Sequence, residues 1–177
     1  MTTSQYIDSF RFISISTFSF QRGEEYLRLN LEMKKRLQSL NVRRYKKNDL
    51  SEVQDNEFQD LSTRLGTTSY LTDSDGSFHE SARKISGDVI NGDISNRLVE
   101  ILRTSVVNLA NWMCAPVYRD AVVFYDVDYK IVSVLNVCFS CEALSLENGQ
   151  LLEADITVFP MLRDLFMSLG HELHIDE

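Results

Sequence analysis

Cysteine, proline and glycine are scarce in this 177-residue chain, at three, two and seven residues. So little of each excludes a collagen-like repeat and a small disulfide scaffold, and 44% apolar residues exclude a wholly disordered chain. No apolar run reaches the roughly 20 residues a membrane-spanning helix needs. The first apolar stretch, Ser9 to Phe20, is interrupted by Arg11 and several serines and follows Asp8, which does not fit a secretory signal. The expectation is a mature chain beginning near Met1. The common catalytic signatures are missing too: no G-x-x-x-x-G-K-[ST], G-x-G-x-x-G, H-E-x-x-H or G-x-S-x-G occurs. An odd cysteine count in a chain long enough to fold without crosslinks favours a reducing compartment, and the cytoplasm is expected.

What is present is acid. Twenty-six Asp+Glu against 18 Lys+Arg leave a formal charge of −8. The charge is uneven along the chain: residues 1–50 carry 10 basic and 5 acidic side chains, residues 51–177 carry 8 and 21. A chain this acidic is poorly suited to binding nucleic acid over its whole surface, because phosphate affinity comes from Lys and Arg.

The length fits a single domain, expected over residues 1–177. Phe10 to Phe20 carries apolar residues on both parities, as a strand covered on two faces does. Tyr26, Leu29, Met33, Leu37 and Leu40 recur at helical spacing. The pattern then weakens: Asp49 to Asp60 is polar and acidic, Thr67 to Leu71 could form a short strand, and 72–92 reads as a polar, mobile loop. Asp93 is placed to cap a second helix, whose face holds Leu98, Ile101, Leu102, Ser105, Leu109 and Trp112 and which Pro116 ends. Ala121 to Tyr125 and Ile131 to Phe139 read as a hairpin through Asp126, Asp128 and Lys130. Asn148-Gly149 then turns the chain into a third strand, Gln150 to Ala154, completing a meander. A last helix runs from Val158 to Leu169, with Thr157 as its cap, Pro160 in its first turn and Gly170 as its stop. The predicted fold is α+β: a mostly antiparallel sheet packed with about three helices.

Cys138-Phe-Ser-Cys141 has the spacing of a redox pair or of two zinc ligands. His171 and His174, or Cys114, would complete a tetrahedral zinc site. The simpler reading of the cysteines is as buried apolar side chains, with no metal or cofactor. His79, near Asp73, Asp75 and Ser77, offers the residue types of an acid–base site without the geometry that defines one. Lys34, Lys35 and Arg36, followed by Arg43, Arg44, Tyr45, Lys46 and Lys47, form a basic run with an aromatic in it, a pattern that can bind phosphates and stack a base. It reads more simply as a solvated helix face. The expectation is a non-enzymatic, cytoplasmic protein of a bacterial immunity or antitoxin type that binds a basic protein. Asp49, Glu52, Asp55, Glu57 and Asp60 are its candidate contacts, because complementary potentials speed and orient association. The alternatives are a zinc- or thiol-dependent protein built on Cys138 and Cys141, and a nucleic-acid-associated protein using residues 34–47.

Overall fold

A computed structural model describes residues 1–47, 49–110 and 114–173, and the side chains of Lys46 and Lys47 lie outside the description. The fold class is α+β. Two compact units divide the chain: residues 1–20 with 69–177, and residues 21–68 between them.

The larger unit is built on one antiparallel six-stranded sheet in the order β2-β1-β3-β4-β5-β6. Its strands are β1 (Ser14–Ser19), β2 (Arg83–Val89), β3 (Asp120–Tyr125), β4 (Ile131–Cys138), β5 (Ala143–Leu146) and β6 (Leu151–Leu152). The meander has four strands, β3 to β6, where three were expected: β5 escapes the sequence pattern and stands between the expected hairpin and the expected third strand, which is β6. Its last turn closes with Gly149 at φ 83°, a backbone region that glycine enters without steric cost.

Both faces of the central strands are apolar, so both are covered. On one side Ile15, Val122, Phe124, Leu135, Val137 and Leu144 pack beneath three helices: α1 (Thr3–Asp8), α4 (Asp93–Leu102) and α5 (Val158–Ser168). On the other side Ala121, Val123, Val134 and Cys138 meet Phe20, Tyr118 and Leu71. Leu71 ends the segment expected to be a short strand, and the stretch after it, 72–92, is the one expected to be a mobile loop. Instead, the Leu71 N–H donates to Oδ1 of the fully buried Asn136 at 2.8 Å, and the Phe78 ring stacks on Phe18. Residues 83–89 of that stretch are strand β2, paired with β1. Thr67 to Leu71 is not a strand.

The second predicted helix is shorter than its apolar periodicity suggests. It ends at Leu102 because the chain beyond is drawn onto the segment before α5: the N–H groups of Val107 and Asn108 both donate to Oδ2 of Asp155, at 2.8 and 2.7 Å. Asp155 also accepts from the backbone N–H and the hydroxyl of Thr157. These donors, the Asn108 N–H first among them, hold its carboxyl well below the usual carboxylate range. Trp112, expected on this helix, lies outside the described residues.

Nor is Asp93 the cap of α4. It is the first helical residue, and the free N–H groups of Ile94 and Ser95 are taken by Asp88, the penultimate residue of β2, at 3.0 and 3.2 Å. A Cβ at Gly92 would collide with that carboxylate. Gly92→Ala is therefore expected to displace Asp88 and to cost about 1 kcal/mol, the usual worth of a helix cap. Urea unfolding of the variant beside Asp88→Ala checks this: the two changes should not add.

The smaller unit is a helical hairpin. α2 (Glu24–Val42) continues into one π-helical turn, Arg43–Lys47, and α3 (Glu52–Gly66) returns alongside. Tyr26, Asn30, Met33, Leu37 and Leu40 are the less exposed positions of α2, at alternating steps of three and four, and Gln54, Phe58, Leu61 and Leu65, among the less exposed positions of α3, follow the same steps. Ser51 caps α3 reciprocally with Gln54. Among the described residues no helix is long and apolar enough to cross a membrane.

Candidate functional site

One buried polar constellation in the sheet unit is not suggested by sequence spacing. α5 ends in a paired C-cap: the Gly170 N–H donates to the Met167 carbonyl and the His171 N–H to the Phe166 carbonyl, with Gly170 at φ 93°. This turn sends His171 back under its own helix, its ring 4.6 Å from that of Phe166. Asp120 opens β3 and Thr17 lies on β1, and the strand register puts both on the helix-covered face. His171 joins them, with Nδ1 2.7 Å from Oδ1 of Asp120 and Nε2 2.9 Å from Oγ1 of Thr17. The His171 and Asp120 side chains are 0% and 1% exposed.

A carboxylate only accepts, so Nδ1–H of His171 donates to Asp120, while Nε2 shares a hydrogen bond with the Thr17 hydroxyl. The order hydroxyl, imidazole, carboxylate is that of a nucleophile, its base and the group orienting the base. Attack on a substrate, however, needs an exposed hydroxyl, and Thr17 is buried in a central strand. In this conformation the three groups lock the chain after α5 onto β1 and β3. The sequence signal was a charged residue, Asp120, at the mouth of a strand buried on both faces, a position that charge occupies only when paired.

The expected zinc set does not assemble. Cys141 is joined to Cys114 in a disulfide, so its sulfur is not free to act with Cys138. Cys138 is buried in the same cluster as Cys141, on the face away from α4 and α5, its Sγ 3.4 Å from Oγ of Ser140. His171 has both ring nitrogens engaged as described, and His174 lies outside the described residues. No group of three or more His, Cys, Asp or Glu among the described residues could hold a metal ion. Tyr118, packed near Cys138, has its hydroxyl pushed up to about 12, chiefly by burial.

His79 is not part of a trio with Asp73 and Ser77. Its Nδ1 lies 2.9 Å from Oγ of Ser81, while Asp73 turns its carboxylate onto the N–H groups of Asp75 and Ser77.

The acidic and basic runs face each other across the hairpin. Arg36 grips Glu57 through two parallel hydrogen bonds of 2.7 and 2.6 Å. That pairing raises the Arg36 pKa and lowers that of Glu57. Arg44 reaches Asp55 at 3.5 Å and lies over the Phe58 ring, and Arg43 reaches Asp49 at 3.4 Å. Three of the five candidate acidic contacts are thus paired within the chain. Glu52, Asp60, Lys34 and Lys35 remain exposed at its surface, and the Lys46 and Lys47 side chains lie outside the description.

Compared with protein-family models, curated proteins and solved structures, the chain matches none.

Two outcomes follow from this geometry. His171→Ala removes a hydrogen bond to a buried carboxylate and is expected to cost about 2 kcal/mol, whereas Thr17→Val, which removes one hydroxyl hydrogen bond, costs about 1 kcal/mol. A double-mutant cycle with Asp120→Ala in urea should return a coupling energy for His171 and Asp120. Thiol titration of unfolded, unreduced protein should find one reactive cysteine, Cys138, and three after reduction.

Proposed function

We propose that the chain is a non-enzymatic binding module for a basic protein, which it neutralises or regulates in the manner of an immunity protein or antitoxin. The observation that carries this reading is where the acid lies in the fold. The helical hairpin, residues 21–68, carries 10 Lys+Arg and 8 Asp+Glu and is close to neutral. The sheet unit carries 8 and 18, a surplus of ten negative charges. A cationic partner is therefore drawn to the sheet unit, not to Asp49, Asp55 and Glu57, whose charge the hairpin's own arginines balance. The same pairing occupies Arg36, Arg43 and Arg44 and weakens the case for a nucleic-acid site on residues 34–47.

The Cys114–Cys141 disulfide weighs against the cytoplasmic setting expected from the odd cysteine count, because such bonds persist in oxidising compartments. Attraction of a basic partner operates in either setting.

Fluorescence anisotropy of labelled poly-lysine and poly-glutamate titrated with the full chain tests the reading. Poly-lysine should bind, and its affinity should fall about tenfold between about 50 and 300 mM salt as the exposed charges are screened. Equal binding of both polymers, or binding of poly-lysine that ignores salt, would overturn it.

A further inference from the structure

Exposed apolar side chains are ordinary when scattered and informative when a fold gathers them. The strand register gathers five at one end of the sheet. β1 begins at Ser14, which stands opposite Val89 of β2 on one side and Tyr125 of β3 on the other. Tyr125 in turn stands opposite Ile131 of β4. Just past this row come Ile90, whose N–H donates to the Ile13 carbonyl, and the β3–β4 turn with Val127 and Tyr129. Val89 is 62% exposed, Val127 71% and Tyr129 73%, and Ile90 and Ile131 are also exposed.

The charges at this end are mostly acidic. Asp128 sits exposed between Val127 and Tyr129, and Asp93 is exposed three residues after Ile90. Asp88 and Asp126 lie at the same strand ends with their carboxylates on backbone N–H groups. Arg11, Arg97 and Lys130 are the neighbouring cations in the sequence. Tyr129 also has φ 58°, a left-handed position where turns commonly place Gly or Asn. The turn is held by the Tyr129 N–H on the Asp126 carbonyl and by the Lys130 N–H on the Asp126 carboxylate. A large aromatic is thus kept out in solvent at a place where glycine would be easier.

We infer that this end of the sheet is a docking surface for a basic protein segment, with an apolar side chain of the partner seated against Val127, Tyr129, Val89 and Ile90 and its lysines or arginines beside Asp93 and Asp128. The inference rests on the cationic-partner reading above and adds the location and the apolar anchor. An exposed aromatic flanked by aliphatic groups is the composition of an interface centre, and the carboxylates supply the complementary rim.

A labelled short peptide of alternating lysine and leucine, titrated with the full chain, tests it beside matched lysine–serine and glutamate–leucine peptides. The lysine–leucine peptide should bind about tenfold more tightly than either control. Tyr129→Gly and Val127→Ser should each weaken it about tenfold, although Tyr129→Gly relieves the left-handed turn and should raise Tm by about 2–4 °C. Val53→Ser, which changes an equally exposed residue on α3, should leave the affinity unchanged. If the lysine–leucine peptide binds Tyr129→Gly and Val127→Ser as it binds the parent chain, the docking surface is overturned while the cationic-partner reading stands. If neither it nor poly-lysine binds the parent chain, both are overturned.

Discussion

The constraint on which the sheet unit depends is that β3 and β4 carry apolar side chains on both faces, with β1 buried beside them, and therefore need two covers. Helices supply one, with Phe159, Leu162 and Phe166 of α5 and Leu98, Ile101 and Leu102 of α4 among the buried side chains. The second is irregular chain, residues 69–82, pinned by Leu71. A loop can fill that role only if its polar backbone is satisfied, which is what Asn136 does from within the sheet. Double burial also accounts for the Thr17, His171 and Asp120 line. A carboxylate at the mouth of a central strand has no water to face, so the chain brings a histidine to it.

Much of this was legible where local pattern and tertiary environment agree. β3, β4, the Asn148-Gly149 turn and α5 with its Gly170 stop follow from runs of Val, Leu and Phe bounded by turn residues. α1 and α3 escaped because their apolar stripes are thin, yet each carries a start signal, Thr2 with Gln5 and Ser51 with Gln54. β2 was hidden by its composition: Arg83, Lys84, Ser86, Gly87 and Asp88 suit a half-exposed edge strand and resemble loop residues. The true extent of α4 was not local information, because it is set by Asp155, more than forty residues further on.

The site residues show the same division. Cys138 and Cys141 are three apart in sequence, but the sulfur that reaches Cys141 is that of Cys114, 27 residues away. The basic run 34–47 and the acidic run 49–60 look like two separate binding features in one dimension. Folded into a hairpin they become largely one neutralised surface, and the uncompensated acid belongs to the unit whose charges are dispersed along the chain. Runs of charge are conspicuous in a sequence, whereas a field is set by what remains after the neighbours in space have been counted.

The position of β1 has a consequence for how the chain reaches its fold. It is the first strand to be synthesised and lies inside the sheet, yet its partners β2 and β3 begin 63 and 100 residues after Phe20. The hairpins of β3 to β6 close over short turns and need nothing from the N-terminal strand. During synthesis, Ile13 to Phe20 therefore waits with both edges unpaired until β2 emerges, and with one edge still open until β3 follows, by which time more than half of the chain has been added. The molecule's most buried N-terminal segment is thus its most exposed one early in its life, and the time it spends in that state is set by the speed of translation.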